Sequence, residues 1–217
     1  MTNFWCWFYK NYIHVFCIFL LVIVGGAFLA PLCAHQDATG LADILYAVYR
    51  ISCHQLAYRS WFLFGEQPFY PLRIANIHGL QTYEGIMNRT FLDPQTASRF
   101  TGNEQIGYKV ALCQRDIAIY LGFILAGAGF ELFKRKWQPI PVLYWIILGI
   151  LPMLVDGVLQ WGNGSILGWR IITVWESTPW LRTATGFFFG FTCGWFVFPK
   201  LEVSLRITRD NHNCKEK

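Results

Sequence analysis

Charge is what this sequence has least of. Asp, Glu, Lys and Arg make up 14% of its 217 residues, against about 25% in a soluble domain. With 54% of the residues hydrophobic, too little polar surface remains to cover them, so much of the chain faces something other than water. Regular cysteine spacing is also missing. Cys6, Cys17, Cys33, Cys53, Cys113, Cys193 and Cys214 do not describe a disulfide scaffold. No basic run is interleaved with aromatics in a polar context, which argues against a nucleic-acid partner. No internal repeat or broken helix points to a transporter. His14, His35, His78 and His212 are scattered, with no pair at matched depth for a bis-His haem. Gly127-x-Gly129 lies inside an apolar run, so it is no nucleotide loop.

What is present is a set of long uncharged stretches. A membrane-spanning helix needs about 20 apolar residues. Residues 11–36 carry no charge between Lys10 and Asp37. That run is longer than a signal-peptide core and lacks a small-x-small cleavage site, so it reads as a retained helix. The spacing predicts four spans, at 11–34, 110–133, 139–159 and 179–198. Ser177 and Thr178 are capping residues, and Pro179 suits the first helical position. Lys10, Lys134, Arg135, Lys136, Lys200, Arg206, Arg209, Lys215 and Lys217 then fall on one side, which places both termini in the cytoplasm. The expected fold is one all-α, multi-pass, four-helix membrane domain, in a bacterial plasma membrane. Ten Trp, ten Tyr and nineteen Phe suit its interfaces.

The extracytoplasmic segment, 35–109, is expected to hold an interfacial amphipathic helix over 41–50. Residues 60–70 are aromatic-rich and are expected to dip into the interface or pack on the bundle. Residues 73–108 read as loop with short helices. Asn88-Arg89-Thr90 matches a glycosylation sequon, meaningful only in a eukaryotic secretory setting.

Four polar groups fall at the outer ends of these spans. They are Cys53-His54-Gln55 with Arg59-Ser60; Cys113 with Arg115, Asp116 and Tyr120; Asp156-Gly157 with Gln160; and Glu176-Ser177-Thr178 with Arg182, Thr185 and Gly186. Cys113, Asp116 and Tyr120 share a helix face at i, i+3 and i+7, and Asp156 and Gln160 stand at i and i+4. Ionisable groups near hydrocarbon are costly, so they face inward and pair.

Three readings fit these residues. In the first, Arg115 and Arg182 neutralise Asp116, Asp156 and Glu176, and Cys53 and Cys113 can form a disulfide in an oxidising compartment. In the second, Cys53, His54, Cys113 and Asp116 hold a metal such as zinc, with Asp156 as a spare acid or base. In the third, Arg182, Ser177 and Thr178, with Arg115, hold an anion at a helix start, a lipid phosphate being the obvious ligand.

The ordered motifs CHQ-x3-RS, C-x-R-x4-Y-x-G, DG-x2-Q and EST-x3-R-x2-TG, from Cys53 to Gly186, resemble an uncharacterised family of bacterial and archaeal membrane proteins, domain of unknown function 2085. The resemblance covers about 51–190 and implies that these positions form one site. It brings no known activity. Members of that family tend to carry a Cys where Asp116 stands, an Arg at Trp175 and an Asn at Pro179, which marks this chain as divergent. Two further functions are therefore open: an accessory subunit in a larger membrane complex, and a hydrolase or transferase acting on a lipid phosphate.

Overall fold

Run length and charge placement largely dictate the helices. The computed structural model describes residues 2–88, 93–161, 165–166, 169–170 and 176–211. The sequon at Asn88-Arg89-Thr90, Trp175, His212, Cys214, Lys215 and Lys217 reach outside them. Helix α1 (Thr2–His35) takes up the first apolar run, and α2 (Thr39–Tyr49) follows. A short section then holds strand β1 (Ser60–Leu63), helices α3 (Tyr83–Met87) and α4 (Pro94–Arg99), and strands β2 (Gly102–Asn103) and β3 (Gly107–Cys113). Helix α5 (Gln114–Leu132) starts at the very next residue. Helix α6 (Val142–Trp145) continues through a π-helical stretch, Ile146–Ile150, into α7 (Leu151–Trp161). That widening precedes Pro152, which has no N–H to return to the Leu148 carbonyl. A small hairpin pairs β4 (Ser165–Ile166) with β5 (Trp169–Arg170), and α8 (Pro179–Asn211) closes the chain.

Two helices, Phe4–His35 and Val142–Gln160, are long and apolar enough to cross a membrane. Their surfaces suit that role. Ile18 and Val22 of α1 are 59% and 66% exposed, and Leu143 of α6 is 64% exposed. Helices α5 and α8 pack so closely that backbone meets backbone. A Cβ on Gly190 would sit 2.0 Å from the Ile119 carbonyl oxygen, and one on Gly122 would sit 2.5 Å from that of Phe187. Only glycine permits this approach.

The expectation of an all-α chain needs correcting. Strands β1, β3 and β2 form an antiparallel sheet in that order, with Ser60 opposite Cys113 and Gly102 opposite Tyr108. The expected second span began at 110, but 110–113 belong to the sheet and the helix begins at Gln114. Val110, Ala111 and Leu112 are each fully buried. A strand covered on both faces loses its alternation and reads like the start of an apolar helix. The other boundaries also move: α1 begins well before residue 11, and α8 runs beyond 198 to Asn211.

The amphipathic helix expected at 41–50 is present as α2, shifted by one or two residues. It buries Ala42 and Tyr46 and leaves Leu41, Ile44 and Val48 exposed along one stripe. Trp61 of β1 packs edge to face on Trp180 of α8, with ring centroids 6.1 Å apart. The aromatic segment thus lies on the helices.

Candidate functional site

The direct step from β3 into α5 places the first group. Cys113 ends the strand and caps the helix, its sulfur accepting the Asp116 backbone N–H at 3.4 Å. Cys53 arrives from the turn after α2. The Sγ atoms of Cys53 and Cys113 and a carboxylate oxygen of Asp116 all lie within 4.8 Å of one another. Both thiols are free, so the disulfide does not form here. A hydrogen bond with Cys53 and burial push the Cys113 thiol well above its usual range. The Cys53 hydrogen bond and burial together outweigh the Asp116 N–H, which favours the thiolate.

His54 does not join this group. Gln55 is left-handed (φ 51°), and the turn sends His54 to the surface while Cys53 stays buried. There His54 lines a separate cavity of about 390 Å³ with Arg50, Ser98 and Arg99.

Beside the thiols lies a layer of ion pairs drawn from all four polar groups. Arg59 grips Glu176 with two hydrogen bonds, at 2.9 and 2.8 Å. Glu176 also takes a close ion pair from Arg182. Arg182 donates to the Gln114 side-chain oxygen at 3.4 Å, and Gln114 donates to the Ser60 carbonyl at 3.2 Å. On the other side Arg115 pairs with Asp156. Thr185 donates to the same carboxylate at 3.5 Å, and Gln160 donates to the Asp156 carbonyl at 2.7 Å.

These pairs bear on the anion reading. The guanidiniums of Arg115 and Arg182 are already matched by internal carboxylates. The Thr178 hydroxyl accepts the Leu181 N–H at 3.3 Å as a helix cap, and the Ser177 hydroxyl donates to the Thr178 carbonyl at 3.3 Å. Glu176 thus supplies an internal negative charge to both Arg59 and Arg182. Among the described residues, Arg115 Nε, Arg182 Nε, Asp156 Oδ1 and Gln160 Oε1 are buried without a partner.

One buried cation has no counterpart in the sequence reading. Lys109 is 0% exposed, and its Nζ donates to the Gln55 and Ser98 carbonyls at 2.7 and 2.8 Å. Its own carbonyl accepts the Tyr46 hydroxyl at 2.5 Å. This one residue ties β3 to α2, α4 and the Cys53 turn. Burial, with Arg50 nearby, lowers its ammonium to about 7. No local motif marks it, because its partners are distant in sequence.

Comparison with known proteins agrees with the ordered motifs. The family model described as "Predicted membrane protein (DUF2085)" matches residues 105–196, which takes in the groups at Cys113, Asp156 and Glu176 but not Cys53. An uncharacterised protein of Methanocaldococcus jannaschii is 28% identical over 197 residues, 88% of this chain and 92% of its own length. No solved structure matches.

Proposed function

We propose that this member of an uncharacterised membrane-protein family crosses the membrane four times and holds a zinc-like metal ion at its extracytoplasmic end. The spans are α1, α5, α6 with α7, and α8, with both termini cytoplasmic. The observation that carries the metal reading is the meeting of Cys53, Cys113 and Asp116 within 4.8 Å. Sulfur atoms sharing one tetrahedral zinc stand about 3.8 Å apart, so side-chain rotation of under ~1 Å closes the set. Two soft thiolates and one carboxylate favour zinc over calcium or magnesium. Three protein ligands leave a fourth position for water or a substrate oxygen, which zinc would polarise as a Lewis acid.

The ion-pair layer supports this reading from outside the ligand set. It fixes the start of α5 against α7 and α8, and so fixes Cys113 and Asp116. Asp156 then acts as the charge partner of Arg115 rather than as an acid or base. An exposed apolar stripe on α2 suits a helix lying in the outer membrane interface.

Elemental analysis of detergent-purified protein after zinc loading tests the site. About one ion per chain is expected in the wild type and in His54→Ala. Cys53→Ser and Cys113→Ser are expected to lose it, and Asp116→Asn to retain less. No bound metal, or metal indifferent to Cys113→Ser, overturns the reading. Topology is tested separately with alkaline phosphatase fusions: active when inserted after Gly79, inactive at the C-terminus.

A further inference from the structure

The end of the helices opposite the thiols carries a second polar site. The chain leaves α5 through two consecutive left-handed residues, Lys134 (φ 54°) and Arg135 (φ 56°). Each costs about 1–2 kcal/mol relative to the right-handed form, and glycine would remove that cost. Two cations stand there instead. The turn directs Arg135 inward, where it donates to Glu131 at 3.1 and 2.5 Å, to Glu202 at 3.0 Å and to the Lys10 carbonyl at 2.7 Å. Glu202 also accepts from Arg206 at 2.9 Å and Arg209 at 2.6 Å. Two carboxylates therefore face three guanidiniums. Lys134 and Lys136 have no carboxylate partner among the described residues.

A cavity of about 450 Å³ opens at this surplus of positive charge, lined by Lys134, Lys136, Trp137, Pro199, Glu202 and Arg206. Its rim is aromatic. Trp137 packs on Trp195 at 5.8 Å, and the Trp195 indole N–H donates to the Gln138 carbonyl at 3.0 Å. Beyond the rim begins the exposed apolar face of α6, with Val142, Leu143 and Tyr144 each more than half exposed. Cationic pocket, tryptophan rim and apolar wall follow one another in the order of headgroup, glycerol backbone and acyl chain. A soluble anion would need only the first of these.

We propose that this cavity binds the phosphate of an anionic phospholipid, held by Lys134, Lys136 and Arg206, with its acyl chains along α6. It is independent of the metal reading, whose residues lie at the other end. The test is native mass spectrometry of detergent-purified protein titrated with phosphatidylglycerol or phosphatidylcholine, with and without millimolar inorganic phosphate. Retained phosphatidylglycerol is expected to exceed phosphatidylcholine and to persist in phosphate. It is expected to fall at least about fivefold in Lys134→Gln/Lys136→Gln, in keeping with two lost phosphate contacts. Arg50→Gln/Arg99→Gln, in the other basic cavity, is expected to change nothing. Arg206→Gln offers a second route, since Arg135 and Arg209 still satisfy Glu202. Equal retention in the lysine variant and the wild type overturns the proposal, as does equal retention of both lipids. Displacement by inorganic phosphate overturns the lipid assignment in favour of a soluble anion.

Discussion

Arg115 and Asp156 meet through Nη2 and Oδ2, tying the first turn of α5 to α7. The Asp156 side chain is 3% exposed and that of Arg115 is 19% exposed. Removing one partner of a buried pair costs about 3–5 kcal/mol, because it strands the other charge. Asp156→Asn is thus expected to unfold at markedly lower temperature or denaturant concentration. Arg115→Met/Asp156→Leu is expected to recover most of the loss. A neutral Asp156→Asn in the unfolding measurement would show that the carboxylate is not there for pairing.

Glu176 serves two arginines of unequal exposure. Arg182 is 2% exposed in its side chain and Arg59 is 27% exposed. Glu176→Ala leaves both charges unmatched and is expected to cost about 3–5 kcal/mol. Arg59→Ala leaves the Glu176–Arg182 pair intact and is expected to cost about 1 kcal/mol. Added phosphate is expected to restore part of the Glu176→Ala loss by entering the emptied carboxylate position. Equal costs for the two variants in denaturant titration would contradict this ordering.

Gly190 sets the distance between α5 and α8. Gly190→Ala places a methyl 2.0 Å from the Ile119 carbonyl oxygen, and backbone cannot yield as a side chain can. The helices must separate, at about 1–3 kcal/mol or more. Gly25→Ala, which meets nothing within 4 Å, is the matched control and is expected to be near neutral. Comparing the two melting curves checks the prediction.

Lys109 makes stability depend on pH. The unfolded amine holds its proton to about 10.5 and the folded one to about 7. Between those values the unfolded chain binds the extra proton, so raising the pH favours folding, by at most about 1.4 kcal/mol per unit. Wild-type stability is expected to climb from pH 7 to 9.5 relative to Lys109→Met. At the alkaline end the variant is expected to be the less stable, because the Gln55 and Ser98 carbonyls lose the neutral amine's donor. The difference in slope is the diagnostic, read by thermal unfolding at three pH values.

The helices were legible because a long uncharged run has few alternatives. The ion pairs Arg115–Asp156 and Arg182–Glu176 were legible as residue types, since a charge near hydrocarbon must find a partner. β3 was not, because 110–112 are apolar on both faces and carry no alternation. His54 was grouped with Cys53 by adjacency, yet the left-handed Gln55 (φ 51°) marks a turn that faces them apart. Lys109 was invisible for a different reason. Its carbonyl partners come from residues 54 and 11 positions away, a relation only the fold creates. Gln114 likewise gains its meaning from Arg182, 68 residues on.

The absence of any linker between β3 and α5 has a geometric consequence. Cys113 is the last residue of one and the cap of the other, so no slack chain separates the sheet from the first turn of α5. The pairing of Ser60 with Cys113 and the placement of Asp116 one turn into the helix are therefore set together.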